Sequence, residues 1–248
     1  MVGIKYIIII GNYLLRRQIV FFTFIFCCLS AQAQREQNRP NHDLLPYYFG
    51  LSLSYNNTYL HPEKHPMFLQ NDSILSVEPG TSGGLALGLA ATANLAKHFE
   101  LRFIPQLILG GSKYFTYHLK YPTELEPEYQ KKTIPSTIVS FPLQLKFNSD
   151  RIDNFRVYMM AGLKYDYDLA SNSSARNAEN LVKLTKSDFG YEAGIGFNFF
   201  LPVVTISPEI KVSNGLSNIH SRDVNLKYSN VLDKLQSRML VFSIILEQ

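Results

Sequence analysis

Hydrophobic and polar residues alternate one for one along most of this chain. Over 139–147 one parity reads Val139, Phe141, Leu143, Leu145, Phe147. After a polar knot at 148–154 it resumes as Phe155, Val157, Met159, Ala161, Leu163, Tyr165 and Tyr167. The other parity carries Lys146, Arg156, Tyr158, Lys164, Asp166 and Asp168. Successive side chains leave a strand on opposite faces, so this pattern predicts strands with one apolar and one polar face. It recurs over 47–55, 85–93, 99–107, 189–199, 204–210 and 240–246, which with the first two stretches makes eight strands. Short turns are expected near 96–98, 148–154 and 201–202, and long loops over about 60–81, 121–134, 169–187 and 214–236. The loops at 169–187 and 214–236 read as polar contact loops.

Two architectures share that pattern. A soluble lipocalin-like barrel or sandwich turns the apolar parity inward, whereas a membrane barrel turns it to lipid and keeps charge inside. The polar parity mixes Gly84, Gly88, Gly190, Gly194 and Gly196 with Arg102, Glu192 and Lys164. Glycine weakens a strand and gives a water-facing surface nothing, but it suits a narrow interior crossed by long charged side chains. The expectation is therefore an all-β fold: an eight-stranded antiparallel transmembrane β-barrel, an up-and-down meander whose lumen is filled by side chains. An unpaired buried charge is costly, so Arg102, Lys146, Arg156, Glu192, Glu209 and Lys211 are expected to pair inside.

The first thirty-three residues do not fit the pattern. Lys5, Arg16 and Arg17 precede an apolar run over 19–29, and Ala31-Gln32-Ala33 follows it, as in a signal peptide cleaved after Ala33. The expected organisation is a signal peptide at 1–33, a periplasmic N-terminal segment at 34–45 and the barrel at 46–248, with both termini periplasmic. Cleavage takes 24 basic residues to 21 against 20 acidic ones, a net charge of +1, which gives no reason to expect nucleic acid. Both cysteines, Cys27 and Cys28, leave with the signal, so backbone pairing and packing must hold the exported protein.

Motifs with chemical promise are weak. Gly190-x-x-x-Gly194-x-Gly196 has phosphate-loop spacing but no following helix, and inward glycines on a strand explain it better. Gly80-Thr81-Ser82-Gly83-Gly84 lacks the spacing of a nucleophile elbow. His61, Glu63 and His65 offer metal-ligand chemistry on one loop stiffened by Pro62 and Pro66, and His118 is a candidate base without a visible partner set. The polar stretch 172–180 reads as solvated loop. No catalytic, cofactor-binding or metal residue is assigned, and no small-molecule substrate is expected.

The runs "KFNSDRIDNFRVYMMAGLKYDYDLAS", "SPEIKVSNGLSN" and "LDKLQSRMLVFSIILEQ", with the earlier "YYFGLSLSYNNTYLHPEKH" and "VEPGTSGGLALGLAATANL", resemble the PorT family over about 45–248. That resemblance implies an outer-membrane component of the type IX secretion system, required for export of cargo bearing C-terminal sorting domains. It implies other secretion components and outer-membrane lipid as partners, and it carries over no catalytic residue. The alternatives are a small barrel with a lipid- or peptide-hydrolysing rim site, or a structural or adhesive barrel. Barrels of this kind often end in an aromatic residue that guides assembly. This sequence ends Leu246-Glu247-Gln248, leaving Phe242 and Leu246 as stand-ins.

Overall fold

In a computed structural model of the chain, all eight expected strands form, and they close on themselves. The structure describes residues 37–66, 68, 73–124, 127–171, 182–222 and 226–248. The expected signal peptide at 1–33 and the stretch 172–180 lie outside them.

The strands are β1 (Tyr47–Lys64), β2 (Ile74–Gly80), β3 (Ser82–Ala96), β4 (Phe99–Phe103), β5 (Gln106–Gly110), β6 (Lys113–Leu119), β7 (Tyr129–Ile134), β8 (Ile138–Asn148), β9 (Phe155–Asp168), β10 (Ser187–Phe200), β11 (Thr205–Gly215) and β12 (Leu232–Glu247). A single helical turn, α1 (Lys227–Asn230), precedes the last strand. β4 and β5 are one expected strand, interrupted at Ile104-Pro105. Proline has no N–H to give a ladder, and Ile104 N–H turns to the Pro142 carbonyl instead. Counting that pair once, the ring runs β1, β3, β4/β5, β8, β9, β10, β11, β12 and back to β1, every pairing antiparallel. Neighbours in the ring are neighbours in sequence, as a meander requires.

Register puts the apolar parity outside. Leu51, Leu87, Leu143, Leu163, Ile195, Phe242 and their neighbours are exposed around the whole wall. A continuous apolar band of this size belongs in hydrocarbon, not water. On β9 it runs from Phe155 to Tyr167, about 40 Å along the strand, or about 30 Å after a tilt near 40°, which spans a bilayer core with its aromatic girdles. Tyr165, Tyr167 and Tyr191 ring the long-loop end, and Phe99, Phe147, Phe155, Phe197 and Phe199 the short-turn end. No helix among the described residues is long and apolar enough to cross a membrane; the strands do the crossing.

The long connections differ from the expectation. Much of 60–81, 113–134, 182–186 and 216–235 folds into a cap instead of running as solvated loop. β2, β6 and β7 pair in that order as a separate three-stranded sheet. Under it lies an apolar core of Leu60, Phe115, Tyr117, Ile134, Val182, Leu184, Ile219, Tyr228, Leu232 and Leu235. The segments 169–187 and 214–236 were expected to be poor in large apolar residues. They supply much of this core, because a cap standing clear of lipid must bury its own hydrophobic face.

Candidate functional site

The interior is the obvious place to look for chemistry, and it is closed by charge pairing. Arg102, on β4, is fully buried; its Nη1 bonds Glu209 on β11, and its Nη2 lies 3.0 Å from Glu247 on β12. Tyr158 donates to Glu209 at 2.5 Å, and Lys211 stands 3.5 Å from the same carboxylate. One layer toward the short turns, Lys146 and the Tyr48 hydroxyl donate to Glu100 at 2.7 and 2.8 Å, with Arg156 at 3.8 Å. Toward the cap, Lys164 donates to Asp166 at 2.6 Å and Gln144 to Glu192 at 2.7 Å. Of the charges expected to pair, Arg102, Lys146, Arg156, Glu209 and Lys211 do so, joined by Glu100, Glu247 and Asp166, whereas Glu192 is met by the neutral Gln144 amide. Each ammonium, guanidinium and carboxylate here has a counter-charge or hydrogen-bond partner, the condition under which charges survive burial.

Glycine makes the room. A Cβ built on Gly196 would stand 2.3 Å from the Tyr158 ring, so that ring lies flat across the β10 backbone only because nothing is there. Gly190, Gly194 and Gly196 face inward along β10 in the same way, and no helix follows them. Their spacing belongs to the barrel interior and not to a phosphate loop.

At the short-turn end the segment just before β1 folds back against the barrel over 38–45, burying His42 while most of its other residues stay exposed. Its backbone is held by Asn154 and Arg151, and Arg39 donates to Thr205 Oγ1 at 3.0 Å and to the Glu247 carbonyl at 3.1 Å. His42 is buried between Tyr48 and Phe200, its ring centroid 4.7 and 5.5 Å from theirs. Asp43 meets Arg156 at 2.7 Å. Burial alone raises the Asp43 pKa, but the neighbouring His42 imidazole and the Arg156 charge outweigh it and hold the carboxyl below its ordinary value.

The remaining candidates do not converge. His61 and Glu63 sit on the outer face of β1, not on a loop, and Glu63 pairs with Lys234 at 3.4 Å. Among the described residues no set of histidine, cysteine and carboxylate is placed to hold a metal. His118, on β6, stacks on Tyr129 at 4.7 Å and bonds Glu128 at 2.9 Å. Thr81 is the single residue between β2 and β3, which belong to different sheets, so the glycine-rich run is where extended chain passes from the cap sheet into the barrel. One pair escaped the sequence reading: His220 Nε2 lies 2.9 Å from Ser229 Oγ inside the cap. Burial holds this imidazole below its ordinary pKa. Its other nitrogen faces the Asp233 main-chain carbonyl and not a carboxylate, and Ser229 is fully buried. The pair fastens α1 to the cap and offers no accessible nucleophile.

A wall dressed for lipid and, among the described residues, a lumen crossed by paired charges define a membrane β-barrel. The outer membrane protein beta-barrel domain family matches residues 31–221, and the chain belongs to that family. Three solved barrels are similar in fold: Neisserial surface protein A, at 12% identity and TM-score 0.40, covering 79% of this chain and 95% of that one; the outer membrane protein OprG of Pseudomonas aeruginosa, at 14% and 0.38, covering 80% and 94%; and the N-terminal barrel domain of OprF from the same organism, at 10% and 0.34, covering 79% and 97%. No curated protein matches the chain.

Proposed function

We propose that this barrel is a non-enzymatic component of the type IX protein secretion machinery, required for export of cargo with C-terminal sorting domains. The observation that carries the reading is the filled interior: among the described residues, layers of paired charge cross the lumen beneath a folded cap. Such a protein acts through its surfaces, and the likeness of residues 45–248 to the PorT family supplies the pathway. In this reading the short turns and both termini are periplasmic and the cap faces outward. The partners are other secretion components, met through the cap or the turns.

The test is extracellular cargo in a strain lacking the gene, complemented with variants whose barrel abundance is checked alongside. Tyr121→Ser with Lys131→Glu, exposed on the cap, is expected to lower secretion at normal abundance. Exchange of His61, His65 and His118 for Ala is expected to leave it unchanged. Undiminished secretion in the uncomplemented strain would sink the reading, and loss from a folded histidine variant would point to chemistry instead.

A further inference from the structure

Register lines up an unexpected row on the outer wall. Arg238 of β12 lies beside Tyr59 of β1 on one side and Asn214 of β11 on the other. Asn214 in turn donates to the Tyr191 hydroxyl of β10 at 3.0 Å. All four share the outward parity. One row below them come Asn57, Leu240 and Val212, and below that Tyr55, Phe242 and Ile210, which are apolar belt. Arg238 therefore stands where hydrocarbon gives way to headgroups, on the long-loop side. Among the described residues no carboxylate lies within ion-pair distance of it, although the next cation up the strand, Lys234, has Glu63.

A groove opens in the wall directly beneath. Leu53, Tyr55, Pro208, Ile210, Phe242 and Ile244 line it on these three strands, with Leu85 of β3 and Phe197 of β10 at its sides. Its volume of about 480 Å³ falls in the range of roughly 300–1,000 Å³ typical of small-molecule sites. From Phe242 at its upper edge to Arg238 is four residues, about 13 Å along the strand. A larger groove alongside, past Leu87, Pro105 and Leu107, is a useful contrast: above it β3 and β5 continue as Leu85, Leu109 and Gly110, without a cation.

We propose that the β1–β12–β11 wall binds one phosphorylated membrane lipid, its phosphate on Arg238 and an acyl chain in the groove. A guanidinium offers paired N–H donors to phosphate oxygens, and at a membrane surface those bonds form in reduced dielectric. Asn214 and the hydroxyls of Tyr59 and Tyr191 complete the rim. The shape selects a chain, and the uncompensated charge selects an anionic head; neither groove nor arginine alone does both.

The experiment uses the full barrel in a neutral maltoside detergent. Native mass spectrometry counts retained lipid, and the midpoint of heat-induced loss of folded gel mobility reports stabilisation. The probes are dimyristoyl phosphatidic acid, dimyristoyl glycerol and inorganic phosphate. Phosphatidic acid is expected to bind at one copy and raise the midpoint. Arg238→Gln, an outward substitution that leaves the barrel folded, is expected to weaken that binding at least about tenfold, as loss of a charge-assisted bond does. Ile210→Trp, filling the groove, is expected to weaken it likewise, and Lys234→Gln to leave it unchanged. Equal binding of dimyristoyl glycerol, equal stabilisation by inorganic phosphate, or full binding by either Arg238→Gln or Ile210→Trp would overturn the proposal. None of these readouts involves secretion, so the site stands or falls apart from the proposed function.

Discussion

Replacing Arg102 by Met should be among the most damaging single changes in the barrel. The side chain is completely buried and serves two carboxylates on two strands across the lumen, Glu209 and Glu247. Met keeps most of the volume, so the loss is electrostatic. Glu209 would retain Lys211 at 3.5 Å and the Tyr158 hydroxyl at 2.5 Å, whereas Glu247 would retain the Ser207 hydroxyl at 3.1 Å and, among the described residues, no cation within ion-pair distance. Removing one member of a buried ion pair costs about 3–5 kcal/mol, and the stranding of Glu247 places this case toward the upper end. Adding Glu247→Gln removes the stranded charge and should recover about half of the loss, a coupling of about 2 kcal/mol in a double-mutant cycle. The chain has no tryptophan, so far-UV circular dichroism across a urea series in lipid vesicles, with gel mobility as second probe, is the suitable assay. A loss below about 1 kcal/mol, or simple additivity with Glu247→Gln, would refute the claim that charge pairing holds the interior.

On the opposite face, Leu143→Arg puts a charge in mid-belt and should cost about 2–4 kcal/mol in the same vesicles; unchanged insertion and stability would show that the belt does not face lipid. Gly196→Ala should destabilise by about 1–3 kcal/mol through overlap with the Tyr158 ring, and by less in a Tyr158→Leu background, as thermal midpoints would show. The cap should weaken in acid. Burial depresses the His220 pKa from 6.5, so the opened state binds the proton more readily. Cap stability is then complete above pH about 6.5 and falls as pH drops through the depressed value. Limited proteolysis at pH 7.5 and 5 should show faster cutting of 216–231 in acid, and His220→Gln should flatten that dependence.

The barrel was legible because two different surroundings impose the same period. Lipid on one side and packed polar groups on the other keep the alternation strict over 139–147 and again over 155–167, and the turns between such strands are too short to confuse. The cap obeys weaker rules. β6 alternates Phe115, Tyr117 and Leu119 with Tyr114, Thr116 and His118, so aromatic residues fall on both parities and neither stands out. β7 holds four polar residues in a row and becomes a strand only because β6 pairs with it. In β2 a register shift between Ile74 and Ser76 breaks the period itself. For the interior, parity identified which charges point inward. It could not identify partners, because Arg102 reaches past its neighbours to β11 and β12. Glu247 is not among the charges expected inside, because the expected strand stops at Leu246, yet it is buried within the pairing network.

The seam that closes the ring joins the first strand to the last. Its ladder runs from Gly50 with Glu247 up to Lys64 with Leu232, and Arg39 ties across its lower end to the Glu247 carbonyl. No part of that seam can exist until nearly the whole chain has been delivered, and the loop it closes is among the longest the molecule contains. Until then β1 and β12 are both raw edges inside an apolar medium, where each open backbone group is expensive. Assembly therefore has a single late commitment: zipping one edge pair converts an open, strongly disfavoured sheet into a closed one, and the Arg39 latch can form only afterwards. A variant lacking Arg39 should reach the closed barrel at the usual rate and differ only in how readily the seam reopens from its lower end.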